Sequence, residues 1–252
     1  AVGYSFGRID YKYRASSSKP VVAFFGEFDD TGRKQLIEAY YEGETLYPLR
    51  GRSTWLAVIP SLAEKFTTFE SFARAALDDV FPPRSLAAAQ RFEVNALESG
   101  VLLNDGAGHF TFRALPRLAQ ASPAFGVALA DVDGDGNTDL YLAHNFFSPQ
   151  PETGRMAGGL SLLLRGGGDG SFTPVWPKES GLIVPGDAKA LAVTDLNNDG
   201  RPDFVVAINN GALLAFENRG SKTNRTMSIR LQGRAGNPTA IGARVTVTLD
   251  DG

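Results

Sequence analysis

The sequence predicts an all-β fold, a partial β-propeller of about three blades with a small helical insertion, and three observations predict it. Gly and Pro, at 28 and 14 of 252 residues, punctuate short β-branched and aromatic runs, the texture of strands joined by turns. An acidic loop leading into an apolar run occurs as ADVDGDGNTDLYLAHN at 130–145 and again, sixty-four residues later, within TDLNNDGRPDFVVAINNG at 194–211. A hairpin element, apolar strand then Gly-rich turn then Phe-Thr exit, occurs as GVLLNDGAGHFTF at 100–112 and SLLLRGGGDGSFTPV at 161–175, with a faded copy in ALLAFENRG at 212–220. Each unit reads strand, acidic loop, strand, hairpin, and serial antiparallel sheets of this kind are the signature of propeller blades.

Taken in order, residues 1–52 read as a degenerate blade, in which VVAFFG at 21–26 leads into a weaker acidic loop with Glu27, Asp29, Thr31, Gly32 and Gln35 in register. Residues 53–97 read as the helical insertion: Leu62, Phe66, Phe69, Phe72, Ala73, Ala76 and Leu77 recur mostly at three- and four-residue steps, which makes at least one amphipathic helix. Pro60 and the Pro82–Pro83 pair bracket it, and Thr68 with Ser71 caps a second helix after a break near Thr67. Residues 98–223 carry the blades with the two strong loops. The runs FGVALA (125–130), ALAVT (190–194) and VVAFFG, apolar on both faces, are expected as strands buried near a propeller's centre. NFFSPQPETGRMAGG at 145–159 reads as a long rim loop, with Glu152 and Arg155 as partner contacts.

The acidic loops point to a hard cation. Calcium takes six to eight oxygens at about 2.3–2.6 Å, and short acidic side chains at alternate positions of a tight loop converge on one point. Asp131, Asp133, Asp135 and Asp139, with the Asn137 carbonyl, meet that need, and Gly136 lets the backbone turn. The second set is Asp195, Asn197, Asp199 and Asp203, with the Arg201 carbonyl. An EF-hand is rejected, because the twelfth position is Leu142 or Val206 and the flanks DLYLAH and DFVVAI are strand-like. An ordinary hairpin turn explains one or two such residues, whereas four donors at the same offsets in two loops gain only repulsion without an ion. The third loop, with Gln35 in place of the final acid, is read as keeping the loop's shape without the metal.

Other chemistry finds little support. A net charge of -3 with scattered Lys and Arg gives no footprint for nucleic acid. There is no Cys for a disulfide or thiolate zinc site, and no apolar run approaches the ~18 residues of a membrane span. His109 on a Gly turn and His144 at a strand end are the only histidines, and neither sits in a nucleophile motif. No nucleophile elbow, Walker loop or HExxH motif occurs. No catalytic residues are assigned. Tyr40, Tyr41, Tyr47 and Trp55 cluster near the end of the first unit, where they serve packing or stack on a sugar or partner side chain.

The strings ALADVDGDGNTDLYLAHN and AVTDLNNDGRPDFVVAINNG resemble the FG-GAP or VCBS repeats of integrin α-chain propellers and bacterial surface proteins, down to the Phe125-Gly126 pair. The segment 224–252, with Asn237 to Val245 reading NPTAIGARV, resembles the start of an ASPIC/UnbV domain. The pairing is similar to the cartilage-acidic-protein-like family of secreted proteins. The resemblance implies Ca2+ stapling each blade loop, an extracellular or cell-envelope setting, and protein or glycan partners at the propeller rim, in adhesion or recognition. Since three blades do not close a ring of four to eight, the chain is expected to be the C-terminal part of a longer propeller, cut inside the next domain, with any signal peptide upstream. The alternative expectation is a polysaccharide-active hydrolase or lyase, its site between the insertion and the propeller face.

Overall fold

A computed structural model describes residues 15–149, 154–220 and 229–248. Along the chain run β1 (Val21–Gly26), β2 (Gln35–Glu42) and β3 (Thr45–Pro48), then α1 (Arg52–Val58), α2 (Leu62–Lys65), α3 (Phe69–Ala73), α4 (Leu77–Val80) and α5 (Pro83–Ala88). There follow β4 (Gln90–Val94), β5 (Gly100–Asn104), β6 (Phe110–Ala114), β7 (Ala124–Ala130), β8 (Asp139–His144), β9 (Leu162–Gly166) and β10 (Phe172–Val175). The chain continues with α6 (Pro177–Ser180), β11 (Ala188–Thr194), β12 (Asp203–Ile208) and β13 (Leu214–Phe216). The expected antiparallel sheets are present: β3-β2-β1-β4, β10-β9-β8-β7, β11-β12-β13 and the hairpin β5-β6. The fold is mostly β, and among the described residues the sheets do not close into a ring.

The first sheet takes its core from the helices. Val22 and Phe24 on β1 stand opposite Ala39 and Ile37 on β2, and this buried face packs on Trp55, Ile59, Phe66, Phe72, Leu77, Val80 and Phe81. Trp55 and Phe81 meet edge to face at 4.9 Å. Tyr40 and Trp55, at 6% and 3% exposure, are packing groups rather than a stacking platform.

The expected insertion differs in two ways. It is five short helices: α2, α3 and α4 lie between Pro60 and the Pro82–Pro83 pair as expected, with breaks at 66–68 and 74–76, while α1 precedes Pro60 and Pro83 opens α5. And it ends before residue 97: Gln90–Val94 pairs antiparallel with β1, so the chain returns to the sheet it left. The predicted cap is present, Thr68 accepting from the Ser71 amide and Ser71 from the Thr68 amide. Phe69, read as part of the apolar face, is exposed, with the Arg52 guanidinium over its ring at 5.3 Å.

In the second sheet the strand buried on both faces is β8, not β7. Every β8 side chain is buried: Tyr141 and Ala143 join a core shared with Phe204 and Val206 of the third sheet, and Leu140 and Leu142 join one that includes Leu162, Leu164 and Val101. Along β7 the large residues Phe125, Val127 and Leu129 are exposed while Ala124, Gly126 and Ala128 face inward. β7 and β11 are edges of their sheets, and β7 packs only its small-residue face, toward the third sheet, whereas β8 has a core cluster on each face. The second and third sheets come close where Gly126 faces Leu191; a Cβ there would lie 3.0 Å from the Leu191 Cβ.

On the opposite rim from the acidic loops, Asn145 joins the same two sheets. Its Nδ2 donates to the carbonyls of Gly159 at 2.8 Å, Pro185 at 3.3 Å and Gly186 at 2.9 Å, and its Oδ1 accepts the Gly159 amide at 2.9 Å. Lys189 donates to the Asn145 carbonyl, pairs with Asp187, and lies over the Phe125 ring at 3.5 Å. In the expected rim loop, Glu152 lies outside the described residues, and Arg155 stacks on Phe147 at 3.6 Å. The described part of the expected ASPIC/UnbV start, 229–248, contains no strand; Asn237 and Ile241 bond each other in a local turn.

Candidate metal centre

Three loops join the first two strands of their sheets, and all three are held by one hydrogen-bond pattern. The first-position carboxylate accepts the amide five residues on: Asp131 from Gly136 at 3.0 Å, Asp195 from Gly200 at 2.8 Å, and Glu27 from Gly32. The third-position group accepts the amide two residues on: Asp133 from Asp135, Asn197 from Asp199, and Asp29 from Thr31. The ninth-position group reaches back to the second-position amide: Asp139 to Val132 and Asp203 to Leu196, both at 2.8 Å, and Gln35 to Phe28 at 3.0 Å. The fourth and sixth positions are left-handed throughout, as Asp30 and Gly32, Gly134 and Gly136, Asn198 and Gly200. Only Gly, Asn and Asp adopt that backbone readily, and the fourth position is a requirement the sequence reading missed.

In the loop at 131–139, oxygens of Asp131, Asp133 and Asp139 lie within 4.8 Å of one another. Among the described residues this is the group of acids placed to hold a metal ion. Such a donor set, all oxygen and all anionic, suits a hard divalent cation. Asp135 lies on the same turn outside that triplet, its Oδ1 accepting the Asn137 amide at 2.7 Å. Burial pushes the Asp139 carboxyl above the ordinary carboxylate range, the charges of Asp133 and Asp135 add to this, and the amides of Gly166 and Val132 oppose it. A bound cation would offset both effects, so the acids present fit a divalent cation.

Two features lay beyond the sequence reading. Arg165 donates from Nε to Asp133 at 2.7 Å and from its second nitrogen to Glu179 at 3.3 Å, so a guanidinium stands beside the acids. And Asp139 and Asp203 are fasteners as well as acids: their second oxygens accept the amides of Gly166, at the end of β9, at 2.9 Å and of Asn218, just past β13, at 2.7 Å. Neither partner has a spacing signal in the sequence, because each arrives by sheet pairing.

The loop at 195–203 is arranged differently. Asp199 pairs with the Arg201 guanidinium, and Asn197 donates to Asp199 at 3.1 Å and to Glu217 at 3.3 Å. Desolvation raises the Asp199 carboxyl, but the Arg201 amide, Asn197 and the Arg201 charge outweigh it and leave it below the usual range. The structure therefore brings Asp195, Asn197, Asp199, Arg201 and Asp203 onto one turn, with the side-chain oxygens of Asp195, Asn197, Asp199 and Asp203 engaged by neighbours. At 27–35 the loop keeps its shape with Gln35 in the acid's place, as expected.

The two histidines are not a site. His109 bonds Asp105 across its turn at 2.8 Å, and His144 is buried, its pKa pushed down to about 4 by burial.

The sequence model of the FG-GAP-like repeat family matches residues 94–142 and 154–206. Two stretches of the chain are thus similar to the FG-GAP-like repeat. Each match spans a hairpin (β5-β6 or β9-β10), the edge strand that follows it, the acidic loop and the first strand beyond. A search of the curated proteins finds no match. Among the described residues no helix is long and apolar enough to cross a membrane.

Proposed function

We propose that this chain is a non-enzymatic, calcium-binding segment of a β-propeller in a secreted or cell-envelope protein, acting in adhesion or in recognition of a protein or glycan at the propeller rim. The observation that carries the reading is the convergence of Asp131, Asp133 and Asp139 within 4.8 Å in a loop whose backbone is fixed by its own side chains. The first ion takes Asp131, Asp133, Asp135 and Asp139 with the Asn137 carbonyl; the second takes Asp195, Asn197, Asp199 and Asp203 with the Arg201 carbonyl. The ions fasten blade loops and do no chemistry. The FG-GAP-like repeats support the propeller, the calcium and the extracellular setting. The C-terminal NPTAIGARV string supports an ASPIC/UnbV domain beginning near residue 224.

The test is thermal unfolding with and without calcium. An ion at one hundred times its dissociation constant adds about 2.7 kcal/mol per site, so Tm rises with Ca2+, falls back with EGTA, and no longer responds in Asp133→Ala plus Asp199→Ala. An identical melt in calcium and EGTA refutes the reading.

A further inference from the structure

The two acidic loops belong to different sheets, yet a continuous path of hydrogen bonds joins them. Asp203 at the second loop accepts the Asn218 amide at 2.7 Å. The Asn218 side chain then crosses to the neighbouring sheet, its Nδ2 donating to the Val132 carbonyl at 2.8 Å. Val132 in turn donates its own amide to Asp139 at 2.8 Å. Every link runs between the ninth-position acid of one loop and that of the other.

The path is anchored at each step. The Asn218 Oδ1 accepts the Gly220 amide at 2.9 Å, which fixes the side-chain amide with its Nδ2 toward Val132. Val132 packs against the core that includes Phe204, the residue next to Asp203. At the equivalent place in the first loop, the second oxygen of Asp139 is held by Gly166, which has no side chain to reach another sheet. Asn218 is thus a link that the repeat pattern does not supply.

We propose that Asn218 couples the two calcium loops, so that an ion in either one raises the affinity of the other. The inference rests on the calcium reading above. An ion at the second loop holds Asp203 and the segment after β13 that carries Asn218; that fixes the Val132 carbonyl and pre-orders the backbone on which Asp139 depends. The second ion to bind then meets a loop whose ordering entropy has already been spent, and linkage makes the effect equal in both directions.

The experiment is isothermal titration of the full chain with CaCl2, at low ionic strength, on wild type, Asp133→Ala, Asp199→Ala, and each of these combined with Asn218→Ala or with Asn218→Leu, which keeps bulk but no donor. Expected is that loss of either site weakens the other about fivefold, the lower end of usual couplings, and that both Asn218 variants bring this factor close to one. Amide hydrogen exchange at Val132 without metal gives a second readout, faster in Asn218→Leu than in wild type. Two ions binding independently, or a coupling factor and an exchange rate that Asn218→Leu leaves unchanged, overturn the proposal while leaving the calcium reading intact. Absence of binding at both loops sinks the calcium reading and the coupling together.

Discussion

At Gly166 a hydrogen in place of a side chain decides whether a loop closes. A Cβ there would stand 2.0 Å from the Thr138 carbonyl oxygen, and the same residue's amide holds Asp139. Gly166→Ala is expected to cost about 3 kcal/mol, as overpacking against backbone does, and to lower the denaturant midpoint at unchanged m-value. His144 carries the pH dependence at this scale. Its folded pKa is about 4 and it is buried with Nε2 unpartnered among the described residues, while the unfolded residue titrates near 6.5. The unfolded chain therefore binds more protons between those values. Its contribution is fully present above about pH 6.5 and is lost as pH falls toward 4, by about 3 kcal/mol in all. Denaturant midpoints measured from pH 7 to 4.5 fall in wild type and fall less in His144→Gln; parallel slopes would exclude this residue as the source.

The elements show what the sequence made legible and where it stopped. The alternating acids, the Gly-turn hairpins and the antiparallel order were readable, because each is a local spacing rule. The Thr68–Ser71 cap was readable for the same reason, and Thr68→Ala is expected to cost about 1 kcal/mol of stability, seen as a lower Tm with the β-sheet signal retained. The return of residues 90–94 to β1 was not readable: QRFEV carries no signal that distinguishes an insertion's end from a fourth strand, and pairing across about seventy residues is a tertiary fact. The exposure of Phe125, Val127 and Leu129 escaped for a related reason, since FGVALA reads the same at an edge as at a centre. Within the acidic loops the donors were visible in the spacing, whereas Arg165, Gly166 and Asn218 came into place only through sheet pairing.

For the molecule as a whole, stability rests on how sheets join. Asn145, wholly buried, bonds the loop before β9 and the entry to β11 at once, so Asn145→Ala strands several backbone groups. It is expected to cost about 3 kcal/mol and to lower the urea m-value by letting the third sheet separate before the second; a single sharp transition with unchanged m would show that the sheets are held otherwise. The first sheet has a different dependence. Its strand order β3-β2-β1-β4 places the start and finish of the helical segment on opposite edges, three strand spacings or about 14 Å apart. A direct splice would need a bridge of at least about four extended residues. Excising 61–95, the obvious way to ask what the helices do, would also remove β4 and leave Val22, Phe24, Ile37 and Ala39 with only Trp55 and Ile59 of their helical cover. The segment behaves as the first sheet's other half, so its role has to be dissected by changing outward side chains such as Phe69, 67% exposed, with the chain left whole.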